Sequence, residues 1–211
     1  MKLITYPRVL ACAIALLSTT AYAQQHSLLK VQKDWAVCQY QTKGSDKQTK
    51  CFEQVITLNK QDLSARKDSP ELMVWLAINK ASLAGAEGGL SGLSQAKQAK
   101  KILEQVIEKS PETLQGSAYT SLGSLYYKVP GWPIGFGDDK KAEQLLKKAL
   151  KINPNGIDSN YFYGDFLAEQ GKKQQAIKYL TRAKNAAARP DRPLADQGRQ
   201  QDISKVLESL K

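Results

Sequence analysis

Three segments of this chain repeat one order of small, bulky and small residues, closed by proline. Ala99, Leu103, Val106 and Pro111 form one set, and Ala142, Leu146, Ala149 and Pro154 the next. Ala176, Leu180 and Ala183 form the third, with Pro190 following late. The apolar residues recur at helical spacing, so that Ala142, Leu145, Leu146, Ala149 and Leu150 share one face. Ahead of these stripes lie further apolar helices that each carry a small residue. One holds Tyr119, Leu122, Gly123 and Tyr126, and the next Tyr163, Gly164 and Leu167. Glycine inside a helix costs about 1 kcal/mol relative to alanine, so it needs a structural reason. Close approach of the partner helix, itself small at Ala142 or Ala176, supplies one. A fixed internal period of this kind decides the architecture before any other feature.

These residues resemble the tetratricopeptide-repeat (TPR) family. The family pattern sets a bulky residue, Leu-Gly and an aromatic before alanine, a bulky apolar residue, alanine and proline. Tyr119, Leu122-Gly123, Tyr126, Ala142, Leu146, Ala149 and Pro154 match it in order, with an insertion between the two helices. Pro154 sets the next repeat at Ile157, and Gly164, Ala176, Leu180 and Ala183 follow in register. A weaker unit runs from Pro70 to Pro111, with a helix over Glu71–Leu83, a flexible Gly85–Gly92 loop and a helix over Gln95–Lys109. A still weaker one covers Ser27–Asn59, with Trp35 and Ala36 in its first helix and Phe52 and Val55 in its second. Arg189-Pro190-Asp191-Arg192-Pro193 breaks the chain, and Ala195–Leu210 forms a helix that shields the last open face.

The expectation is an all-α, TPR-like array of helix-turn-helix repeats, an α-solenoid of about four helix pairs with a C-terminal capping helix. Its divisions are a cleaved signal peptide over 1–23 and a degenerate N-terminal hairpin over 24–69. The repeat array covers 70–190, with inserted loops at 85–93 and 129–138, and the cap covers 191–211. No stretch shows the alternating apolar pattern of a strand.

Residues 1–23 have the layout of a secretory signal. Lys2 and Arg8 give the positive start, Val9 to Leu17 the apolar run, and Ala21-Tyr22-Ala23 the cleavage site. The run is shorter than the ~20 apolar residues of a membrane span, and no later stretch approaches that length. Val9-Leu10-Ala11-Cys12 faintly resembles a lipoprotein box, but the apolar run continues past Cys12, so cleavage after Ala23 is favoured over a lipid anchor. Export from a Gram-negative cytoplasm implies the periplasm, which is oxidising. Cys38 and Cys51 then read as a disulfide around a Lys43-Gly44-Ser45 turn, the other reading being two buried thiols. The chain has 31 Lys+Arg against 20 Asp+Glu. These charges are scattered along helix faces, which reads as a solvated basic surface; nucleic acid is not an expected partner outside the cytoplasm.

A narrower resemblance lies in Tyr126–Asp139, in Asn160–Phe166, and in the tail from Arg192-Pro193 to Gly198-Arg199. These segments are similar to the T component of TRAP (tripartite ATP-independent periplasmic) transporters. The resemblance runs from about Pro70 to the C-terminus. It implies a periplasmic TPR protein that associates with a solute-binding protein; members are often lipid-anchored and some oligomerise. This chain departs from them at the anchor, because Cys12 is poorly placed.

Gly135-Phe136-Gly137 makes a poor phosphate cradle, lacking the preceding strand and the later Gly-Lys. Pro130 and Pro133 stiffen that segment, and Asp138 or Asp139 caps the following helix. Trp132 and Phe136 fold back over the core or stand out as a contact surface. Transferring the family's groove positions selects Ser124, Tyr127 and Lys128, then Tyr161, Asp165 and Glu169. Tyrosines beside lysine and carboxylates suit the capture of a peptide or a small molecule. A second reading is a carrier of a small apolar ligand lined by Trp75, Tyr126, Trp132, Tyr163 and Phe166. Catalysis is not expected. His26 is the lone histidine and sits beside the cleavage site, so a nucleophile has no base, and metal sites lack ligands. No cofactor is expected.

Overall fold

The computed structural model describes residues 27–211. The signal segment with its Ala23 cleavage site, Cys12 and His26 lie outside the described residues. The chain is helical over 27–36 (α1) and continues as a π-helical turn, Val37–Gln41. Then follow α2 (Ser45–Ala65), α3 (Pro70–Glu87), α4 (Gly89–Lys109), α5 (Thr113–Lys128), α6 (Asp139–Ile152), α7 (Ile157–Glu169), α8 (Lys173–Lys184) and α9 (Pro193–Ser209). Among the described residues there is no β-strand, and no helix is long and apolar enough to cross a membrane.

Pairing follows chain order: α2 with α3, α3 with α4, α5 with α6, and α7 with α8. The alanine stripes are fully buried at Ala99, Ala142, Ala149, Ala176 and Ala183, as are Leu103, Leu146 and Leu180. The helix starts are fixed locally. Ser69 caps α3 by accepting from the Leu72 amide, with Pro70 in the first turn, and Asp138 caps α6 by accepting from the Lys141 amide.

The two glycine notches lie in α5 and α7, but their partners are not the alanines. A Cβ on Gly123 would stand 2.8 Å from Leu146 Cγ, and one on Gly164 2.8 Å from Leu180 Cγ. The leucine one turn beyond each alanine is what fills the notch. Long helical side chains lean back toward the preceding turn, which puts Leu146 and Leu180 over the glycines.

The expected loop at 85–93 is not a loop. Helix α3 runs through Gly85 to Glu87 and α4 begins at Gly89, leaving Gly88 (φ 64°) as the junction. A Cβ on Gly92 would lie 2.4 Å from the Ala84 carbonyl oxygen. The two helices turn back on each other at contact distance there, so Gly92 serves close packing where the composition suggested flexibility.

At the N-terminal end, Cys38 and Cys51 form a disulfide, with Cα atoms 5.6 Å apart, and Gly44 turns the chain at φ 89°. The π-turn carries Tyr40 across to α9. Its ring occupies the space beside Gly198, where a Cβ would fall 2.3 Å from Tyr40 Cγ, and its hydroxyl donates to Asp202 Oδ2 at 3.0 Å. Helix α9 packs on α7 and α8 and also meets this turn, so the last helix reaches back to the first hairpin.

Candidate binding groove

The six expected groove residues do lie on α5 and α7, but four of them form a closed polar cluster. The Tyr127 hydroxyl donates to Asp165 Oδ2 at 2.8 Å. Lys128 Nζ lies 2.9 Å from Asp165 Oδ2 and also donates to Glu169. The polar groups of these four residues therefore satisfy one another and tie α5 to α7. Tyr127 is buried, and burial, followed by the charge of Asp165, pushes its phenol well above the usual range. Ser124 and Tyr161 alone of the six line the main cavity.

That cavity has a volume of about 520 Å³, within the ~300–1,000 Å³ range of small-ligand sites. One wall is aromatic, with Trp35 and Trp75 in edge contact at 5.6 Å, and Tyr161 and Phe162 in edge contact at 5.1 Å. Helix α5 adds a row of hydroxyls, Ser117, Thr120, Ser121 and Ser124, which helical spacing sets on one face. The rim is charged. Asp158 in the first turn of α7 accepts from Arg199 Nε at 2.9 Å and from Arg189 Nη1 at 2.6 Å. Arg189 also meets Asp196 at 2.5 Å, and Arg199 meets Asp202 at 3.1 Å. The Arg199 guanidinium lies over the Tyr161 and Phe162 rings, 4.3 and 4.8 Å from their centroids.

The electrostatics follow from this crowding. Burial by itself would raise the Asp158 carboxyl, but Arg199 and then Arg189 outweigh it and hold the group far below the ordinary carboxylate range. Burial lowers Arg192, and neighbouring Arg189 lowers it further, to about 10. Tyr40 and Tyr161 are pushed up chiefly by burial, Tyr161 to about 12. A tyrosine with a raised folded pKa contributes stability that is complete below the unfolded value of about 10 and is lost as pH rises through the folded value. An ultraviolet titration should therefore show part of the tyrosinate absorbance delayed to higher pH. Tyr40, Tyr127 and Tyr161 should ionise only above the ordinary tyrosine value of about 10, together with the loss of helical circular dichroism. A single phase near pH 10 with the helices intact would contradict this burial.

The segment between α5 and α6 divides the two aromatics. Phe136 turns inward onto Tyr126, at 5.6 Å and nearly perpendicular, whereas Trp132 is 91% exposed and Ile134 66%. Core packing is thus right for Phe136 and wrong for Trp132. Backbone bonds from Gly137 N to Pro130 O and from Gly135 N to Gly131 O hold the segment in shape. The proposed lining of an apolar-ligand carrier is also not assembled. Trp75 lines the cavity, but Tyr126, Tyr163 and Phe166 are core residues and Trp132 faces outward. Among the described residues, no three metal-ligating side chains come together.

Sequence reasoning missed Tyr40, Asp158, Arg189, Arg199 and Asp202 as site residues. One signal for them existed. Arg199 stands between Ala195 and Ile203, one turn from each, so a cation interrupts the apolar stripe of α9.

The comparisons agree with this architecture. Residues 134–197 match the family model described as tetratricopeptide repeat. No curated protein matches the chain. Among solved structures, the chain is similar to a thermophilic TPR protein of Thermus thermophilus, TTC0263. The two are 20% identical with a TM-score of 0.58, over 76% of this chain and 73% of that one. It is more distantly similar to MamA, 18% identical with a TM-score of 0.46, over 80% of this chain and 93% of that one. In fold the chain is a TPR-like array of helix pairs, and its residues 134–197 match the tetratricopeptide-repeat model.

Proposed function

We propose that this chain is a non-enzymatic binding protein of the periplasm that holds a segment of another protein on its concave face. The observation that carries this reading is the groove itself. It is lined from α3, α5 and α7, the first helices of successive pairs, and walled by α9. TPR arrays generally act as scaffolds for protein interaction, and the resemblance of Tyr126–Asp139 to TRAP T components points to a periplasmic solute-binding protein as the partner. Export rests on the layout of residues 1–23, with cleavage after Ala23. The exposed Trp132 offers the same partner a second contact, since tryptophan is enriched among residues that dominate interfaces.

Affinity capture from a periplasmic extract tests this reading. Wild type should retain a protein that Tyr161→Ala loses, because Tyr161 lines the groove, while Lys97→Ala on exposed α4 surface should retain it fully. Equal recovery of every captured protein by wild type and Tyr161→Ala removes the groove as the binding surface.

A further inference from the structure

At the end of the groove closed by α9, one arginine makes no ion pair at bonding distance among the described residues. Arg189 and Arg199 between them engage Asp158, Asp196 and Asp202. Among the described residues Arg192 pairs with no carboxylate, and its buried Nε has no acceptor. Its guanidinium lies 4.9 Å from the centre of the Trp75 ring, and Trp75 Nε1 is a second buried donor without an acceptor. Both side chains line the cavity. An unpaired, partly desolvated guanidinium is costly, and native structures leave few buried donors unmet.

We propose that this end of the cavity binds a small monocarboxylate carried on a flat aromatic body, with its carboxylate on Arg192 and its ring among Trp35, Trp75, Tyr161 and Phe162. A carboxylate matches the planar fork of arginine and forms charge-assisted bonds with it. The ring-lined wall favours a flat π-face. The charge count selects a monoanion. Three arginines already balance three aspartates here, so any anion adds net negative charge, and a single charge set on Arg192, which makes no ion pair among the described residues, adds the least. A phosphate dianion would place a second charge beside Asp158 and Asp202. The site goes beyond the capture of a protein segment and does not depend on that segment's identity.

Calorimetry and tryptophan fluorescence on the full chain, titrated with benzoate, phenylacetate and naphthylacetate, each beside its neutral amide, test the proposal. At least one acid should bind saturably and at least about tenfold more tightly than its amide, the factor that 1.4 kcal/mol of charge-assisted bonding gives. Arg192→Gln should lose that preference. Arg192→Met should melt at or above the wild-type temperature, because it removes an unpaired buried charge. Binding of no acid, equal binding of acid and amide, or an unchanged preference in Arg192→Gln overturns the site. The capture experiment with Tyr161→Ala fails or succeeds separately, and protein capture that persists in Arg192→Gln without acid binding leaves the scaffold reading standing alone.

Discussion

Asp158→Ala should lower the unfolding free energy by about 3 kcal/mol at neutral pH, the low end of the cost of breaking a buried ion pair. The low end applies because the Asp158 side chain is 32% exposed, while its partner Arg199 is only 10% exposed. Without Asp158, Arg199 keeps Asp202 alone and Arg189 keeps Asp196 alone, although both cations stay between α7 and α9. The mutation also removes a negative charge from the first turn of α7, where the helix dipole favours it. The pH dependence has a definite sign. A carboxyl with a depressed folded pKa contributes stability above its unfolded value of about 4, and that stability is lost as pH falls toward the folded value. The gap between wild type and Asp158→Ala in urea denaturation should therefore narrow below about pH 4. Replacing both charges, as Asp158→Leu with Arg199→Met, should recover much of the loss, since the more buried cation is removed together with its partner. A single-mutant cost near zero at pH 7 would mean that water already screens this network.

The helices and their stacking were legible because they rest on local spacing. The Ala142–Leu146–Ala149 stripe, the glycines before it and the break at Arg189–Pro193 each fall within a few residues, where periodicity works. The failures are of two kinds. At Gly85–Gly92 the composition signals a loop, yet the glycines are there because α3 and α4 touch at Ala84 and Gly92, a tertiary cause that propensity does not encode. The charged network was illegible because its members are far apart in sequence. Asp158 and Arg199 are separated by 41 positions and Tyr40 and Asp202 by 162. The groove residues show a milder form of the same limit. Family positions placed Tyr127 and Asp165 on facing helices, but not that each would satisfy the other and leave the cavity to Ser124 and Tyr161.

The largest expected effect comes from filling both notches. In Gly123→Val/Gly164→Val, each new Cβ meets a leucine Cγ at 2.8 Å, and behind it a backbone nitrogen, at 3.3 Å for Leu146 and 3.1 Å for Leu180. A leucine end can swing aside, but the backbone of the facing helix cannot, so α5 must part from α6 and α7 from α8. Overpacking costs about 1–3 kcal/mol per site, with a branched side chain at the upper end. The notches press on different leucines, so the costs should add to about 5 kcal/mol. That equals the whole stability of a marginal domain and corresponds to a fall of about 10–20 °C in Tm for a chain of this size. Alanine at the same sites should cost less, because regained helix propensity of up to about 1 kcal/mol offsets part of the clash. Gly85→Ala is the contrasting case. Its Cβ would enter open space within the regular part of α3, so the substitution should stabilise the chain by about 0.5–1 kcal/mol. Thermal unfolding followed by circular dichroism separates these outcomes. A double valine variant that melts with wild type would show that the paired helices stand further apart than 2.8 Å contacts allow, and the stacking of the repeats would need another cause.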